Sequence, residues 1–126
     1  MNRTLVCFAF MLVFGLCGHA SATDADADAD AGKKVFAKCA VCHSPEPGVT
    51  RVGPSLAGVV GRQSGSLPGF NYSTAMKNYG VTWNNDTLNT YLAAPMEVVK
   101  GTKMTFPGVK DETDRANVIA YLNTLK

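Results

Sequence analysis

Apolar side chains recur at helical spacing in three stretches of this chain. Near the C-terminus, Val118, Tyr121, Leu122 and Leu125 fall on one helical face. That helix is expected to begin at Asp111, with Asp114 three residues on, and to run to Lys126. Upstream, Leu88, Tyr91, Leu92 and Pro95 keep the i, i+3, i+4, i+7 rhythm of a second helix. Asn84 or Asn85 is its N-cap and Pro95 its end. The earliest of the three covers about Ala31 to Val41 and gathers Gly32, Phe36, Cys39 and Ala40 on one side. A shorter helix falls around Ser73 to Asn78, and no stretch alternates as a strand would. Between Ser44 and Gly80 the chain is rich in Gly, Pro, Ser and Asn, which reads as loop. The pattern predicts an all-α domain of about three main helices plus short ones. Gly32 lets the first and last helices approach closely, and Phe36 and Tyr121 are placed to fill their crossing.

The N-terminus has a different character. Met1 to about Ala22 reads as a secretory signal peptide: Arg3 is the positive flank, Leu5 to Leu16 the apolar run, and Ala20-Ser21-Ala22 the small residues at a cleavage site. That run is too short to span a bilayer comfortably, so no membrane anchor is expected in the mature form. Residues 23–30 are an Asp/Ala alternation with nothing large to bury, read as a solvated tail whose Asp30 favours the positive end of the following helix. Residues 31–126 then form one domain. They hold 11 basic and 6 acidic side chains, about +5, a polarity that suits docking on an acidic protein face and is no nucleic-acid signature.

Chemistry is concentrated in Cys39-Ala40-Val41-Cys42-His43. Cys-x-x-Cys-His is the attachment sequence of a covalent c-type haem. Residues three apart share a helical side, so Cys39 and Cys42 reach two vinyl groups of one porphyrin while His43 offers its imidazole to the iron. A thioredoxin-like pair would need alternating strands and helices, and a zinc site would need a fourth ligand. Of the 4 cysteines and 2 histidines, Cys7, Cys17 and His19 leave with the signal segment, which strips the zinc reading of its ligands. Export also fits, because such haems are attached outside the cytoplasm, and a bacterial periplasm is the expected destination. A domain of about 95 residues has a small core, and the Ser44–Gly80 loops are expected to need the porphyrin to pack against.

No second histidine remains for the far side of the iron, which leaves a methionine, a lysine or an open site. Met76 lies in the short helix and Met96 follows Pro95 at a helix end. Met104 lies between Gly101 and Gly108, in a loop that can fold a thioether inward, and local reasoning favours it without closing the matter.

The ordered motifs go further. Cys39-Ala40-Val41-Cys42-His43, Val52-Gly53-Pro54-Ser55-Leu56, Gly61-Arg62, Gly69-Phe70-Asn71-Tyr72, Trp83, Tyr91-Leu92, Pro95, Gly101-Thr102-Lys103-Met104 and Ala120-Tyr121-Leu122 together resemble a class I cytochrome c of the mitochondrial-like type. The resemblance covers nearly all of residues 31–126 and implies one haem c held through Cys39 and Cys42. It implies His43 as proximal and Met104 as distal ligand, with the Pro54 carbonyl orienting His43. Arg62, Tyr72, Trp83 and Thr102 would surround the propionates, and Tyr91 would belong to the haem pocket. Two departures stand out: Met76 replaces a frequent asparagine, and Met96 and Glu97 stand where many relatives carry lysines. Lys38, Lys103 and Lys110 remain near the expected haem edge.

With both axial positions filled, the implied role is a single-electron carrier, not an enzyme. It would be a monomer that meets redox partners transiently, either respiratory complexes or periplasmic dehydrogenases and reductases. The rival reading is a haem enzyme or sensor with a labile sixth ligand.

Overall fold

Asp28 caps the first helix of the computed structural model, which describes residues 26–126, and Asp30 lies in its first turn as expected. The signal segment and Thr23 to Ala25 of the tail lie outside the described residues. The Asp28 side chain accepts from the amides of Asp30 and Ala31, a cap worth about 1 kcal/mol. Helix α1 is Ala29–Phe36, so the last residues of the supposed solvated tail are structured. The alternation offers a capping aspartate at every second position. The last helix selects among them, since the Asp28 amide donates to Asn117 Oδ1 at 2.8 Å.

The far end of α1 also differs from the expectation of Val41. After Phe36 the winding continues in tighter turns, with Ala37, Lys38 and Cys39 donating to the carbonyls three residues back, those of Lys34, Val35 and Phe36. The chain therefore stays coiled through the cysteine motif without remaining α-helical.

Four further helices complete the described part: α2 Thr74–Tyr79, α3 Asn85–Ala93, α4 Pro95–Val98 and α5 Glu112–Thr124. Their starts follow the capping chemistry of the sequence. Ser73 caps α2, Asn84 and Thr87 form a reciprocal capping box on α3, and Asp111 accepts from the Asp114 amide on α5. Pro95 closes α3 as expected and also opens α4, where its missing N–H costs nothing. Among the described residues the only extended pairing is an isolated bridge between Gln63 and Thr82.

Helix α1 crosses α5 at Gly32. A Cβ there would overlap the Asn117 carbonyl and press on Tyr121, so the backbones touch as no larger residue permits. The Phe36 and Tyr121 rings lie 5.1 Å apart beside this point. Val118, Ile119 and Leu122 of α5 are buried there, with Val35 and Phe36 of α1 and with Leu88 and Leu92 of α3. From Ser44 to Ser73 no helix forms, and the loop is held by isolated hydrogen bonds. Gly61 and Ser64 donate to the carbonyls of Trp83 and Val81, and Trp83 donates to the Arg62 carbonyl, all at 2.7–2.9 Å. A ring of apolar residues, including Leu56, Val60, Val98, Met104 and Phe106, packs on the core while staying only partly buried.

Candidate haem site

The cysteine motif is one tight turn. The amides of Cys42 and His43 both donate to the Cys39 carbonyl, at 3.0 and 2.8 Å, which puts both thiols on one side of the coil. Both cysteines are free and half-buried. Burial pushes the Cys39 thiol above its ordinary range, with Lys38 opposing.

A second segment clasps this turn. Gly53 N–H donates to the Cys42 carbonyl at 2.8 Å, and the Arg51 guanidinium donates to the Ala40 carbonyl. Pro54 then presents its carbonyl to His43 Nδ1 at 2.7 Å. A carbonyl can only accept, so Nδ1 carries the proton and Nε2 keeps its lone pair. Gly53 lies flat on the imidazole; a Cβ there would sit 2.5 Å from His43 Cε1. Burial lowers the His43 pKa, the Pro54 bond opposes and Arg62 adds to the lowering. The result is a neutral, oriented imidazole with one free nitrogen.

Arg62 links this corner to the aromatic core. Its two terminal nitrogens donate to the carbonyls of Ala57 and Ser55, at 3.2 and 3.0 Å. Burial presses its pKa down, while the nearby Tyr72 acts in the opposite direction. The Tyr72 hydroxyl accepts from the Leu67 amide at 3.3 Å, which leaves its own proton to donate. Through its backbone Arg62 pairs with Trp83, whose ring lies 4.9 Å from that of Tyr91. Tyr79 stands against both, at 5.9 and 6.5 Å.

The third part is the loop from Val99 to Lys110. The Tyr91 hydroxyl donates to Met104 Sδ at 3.3 Å. Thr102 Oγ1 accepts the Met104 amide at 3.1 Å and also hydrogen-bonds Tyr91. Burial, reinforced by Tyr79 and opposed by Thr102, drives the Tyr91 pKa up to about 12, so the hydroxyl is a dependable donor. A thioether sulfur has two lone pairs. Tyr91 occupies one and aims the side chain, which leaves the other for a soft acceptor.

Of the ten residues singled out from the sequence, hydrogen bonds join Cys39, Cys42, His43 and Pro54 at one corner and Tyr91, Thr102 and Met104 at another. Trp83 packs on Tyr91 and pairs through its backbone with Arg62, which His43 and Tyr72 sense only through charge. The donor set suits a c-type haem: two thiols on one turn, a neutral imidazole and a restrained thioether. The lysines near the expected edge are exposed, and two are tied back: Lys103 Nζ to the Asn71 carbonyl and Lys110 Nζ to the Ala93 carbonyl. Met76 is half-buried on the core and offers no amide to a carboxylate. Sequence reasoning missed the packing role of Gly53, the position of Tyr79 in the aromatic cluster, and Arg115. For Arg115 a signal existed, because a charged residue three before Val118 and seven before Leu122 lies on the apolar stripe.

Comparison with known proteins agrees with this geometry. The family model "Cytochrome c" matches residues 29–126, which begins where α1 begins. Cytochrome c2 of Rhodoblastus acidophilus is 54% identical over 100 residues, covering 79% of this chain and 94% of the relative. Cytochrome c of Euglena viridis is 48% identical over 100 residues, 79% of this chain and 98% of that one. Among solved structures, cytochrome cH from Methylobacterium extorquens superposes with a TM-score of 0.73 at 46% identity, over 77% of this chain and 98% of the other. With a family model matching residues 29–126 and relatives near half identity, the chain belongs to the cytochrome c family.

Proposed function

We propose that this protein is a periplasmic single-electron carrier holding one haem c through Cys39 and Cys42, with His43 and Met104 as axial ligands. The observation that carries the proposal is that both ligand side chains are already aimed by hydrogen bonds, His43 by Pro54 and Met104 by Tyr91. When bound, the haem supplies a one-electron iron couple, whose potential a histidine–methionine pair raises. The chain's own residues do the rest. Pro54 fixes the imidazole plane and strengthens it as a donor. Tyr91 draws density from the sulfur, which favours the reduced state. Arg62, Tyr72, Trp83 and Thr102 supply donors and positive charge for the two propionates, whose burial would otherwise be costly.

With the same ligands held in both redox states, little rearrangement accompanies electron gain or loss. The sulfur restrained by Tyr91 would fill the sixth position of a bound haem, which argues against a haem enzyme or sensor. Residues 1–22 are the export signal in this reading, and the first helix is capped at Asp28, three residues before the domain start at residue 31 read from composition. The mature protein is a monomer in this reading. Its partners are redox proteins, either respiratory complexes or periplasmic dehydrogenases and reductases. Val41 and Val52 are 76% and 80% exposed on the two clasped segments, Lys38 three residues before the first and Arg51 next to the second. Exposed apolar side chains with basic residues close in sequence suit brief, salt-sensitive encounters.

An anaerobic redox titration of the secreted protein, followed by visible absorption, tests the proposal. A single one-electron transition is expected, with a sulfur–iron charge-transfer band in the oxidised form. A high-spin ferric spectrum would point to the enzyme reading instead.

Tyr91→Phe isolates one contribution. It removes a hydrogen bond of modest strength while keeping the ring, so the potential should fall by about 20–60 mV. An unchanged or raised potential would show that Tyr91 does not act on the sulfur.

A further inference from the structure

The loop that carries Met104 is closed at its exit by a buried guanidinium. Arg115, on α5, is only 8% exposed. Its Nη1 donates to the carbonyls of Val109 and Lys110 at 2.9 and 3.2 Å, and its Nε donates to Asn89 Oδ1 on α3 at 2.7 Å. These partners are neutral, so the group is not there to complete an ion pair. What it joins is α5, α3 and the segment five and six residues beyond Met104.

The same exit is pinned to the end of α3. Val109 N–H donates to the Leu92 carbonyl at 2.7 Å, and Lys110 Nζ donates to the Ala93 carbonyl. Gly108 passes so close that a Cβ would lie 2.6 Å from the Ala93 oxygen. At the loop entrance Val99 donates to Pro95 and Thr102 to Val99, while the Thr102 side chain bonds Tyr91 and Lys103 Nζ bonds the Asn71 carbonyl. The backbone bonds of the entrance thus stay within neighbouring residues and its longer ties run through side chains, whereas at the exit the backbone itself is bonded to two other helices. Tyr91, which aims the sulfur, sits on α3 two residues after Asn89, so Arg115 also braces the helix that presents the hydroxyl.

We propose that Arg115 is a positioning residue for the axial thioether: by clamping Val109, Lys110 and Asn89 together it keeps Met104 seated against displacement. This rests on the assignment of Met104 as the distal ligand. Lysine at 115 keeps the charge but loses the planar fork that serves three acceptors at once. The loop would then open more often, and a ligand that binds only the open form would bind more tightly in proportion.

Imidazole added to the oxidised holoprotein is the probe, with loss of the sulfur–iron band as the readout. In Arg115→Lys the apparent imidazole affinity should rise about tenfold, since two or three hydrogen bonds to a charged donor are weakened. Asn123→Ala is the control. Asn123 Nδ2 donates to Asn85 Oδ1, tying the opposite end of α5 to the start of α3. It should lower the thermal midpoint while leaving imidazole affinity within about twofold, because additivity holds for distant sites. An unchanged affinity in Arg115→Lys overturns the proposal. So does an affinity that rises in both variants in step with their loss of global stability. Should Arg115→Lys fail to fold, Asn89→Ala deletes one partner of the clamp at an exposed position. It should then raise the affinity about threefold, and no change there is equally fatal. A wild-type protein lacking the sulfur–iron band would sink the ligand assignment itself, and this inference with it.

Discussion

Met104→Ala abolishes the sulfur–iron charge-transfer band and lowers the redox potential by on the order of a few tenths of a volt. This is the larger of the two main expectations. The thioether is a soft donor that favours the reduced iron, and water or a nitrogen ligand taking its place would favour the oxidised form. The fold should survive the change, because Met104 is only partly buried and the loop around it is fastened elsewhere. Visible spectra, circular dichroism and a redox titration on one sample separate the effects. A band that persists in Met104→Ala would hand the ligand role to Met76 or Met96, and a potential that does not move would remove sulfur from the argument altogether.

Cys39→Ala combined with Cys42→Ala should leave the chain largely unfolded. Among the described residues the core proper contains only twelve hydrophobic side chains, and the loop from Ser44 to Ser73 has no helix to support it. Leu56, Val60, Val98, Met104 and Phe106 are only partly covered by the protein, so a large apolar disc against them adds core that the chain lacks. Without thioether attachment that disc would be lost easily. Far-ultraviolet circular dichroism of the double variant, purified from the periplasm, is the measurement. A cooperative melt with native helix content would mean that the loops hold themselves together.

Some of the local structure was open to reading before any coordinates. Asn84, Asp111 and Ser73 each open a helix, since an N-cap depends on a side chain and the two or three amides after it. The cysteine motif likewise carries its chemistry within five residues. By contrast, the first helix starts at Asp28 because Asn117, 89 positions away, bonds that amide. Its α-helical part ends at Phe36 because the winding tightens ahead of the motif, a change of hydrogen-bond pattern that apolar spacing does not register.

The site divides in the same way. Residue types and spacing in the chain already determined an all-α fold and a haem-attachment turn, and counting made His43 the expected proximal ligand, because each depends on near neighbours or on counting. The choice among three methionines needed the resemblance to a family. Tertiary structure alone decided that Tyr91 donates to the Met104 sulfur, that Gly53 lies on the imidazole face, and that Arg115 is buried and clamps the exit of the sulfur-bearing loop. Those contacts join segments far apart in the chain. Their partners are chosen by how helices and loops pack, and a one-dimensional pattern of polarity holds no record of distance across the fold.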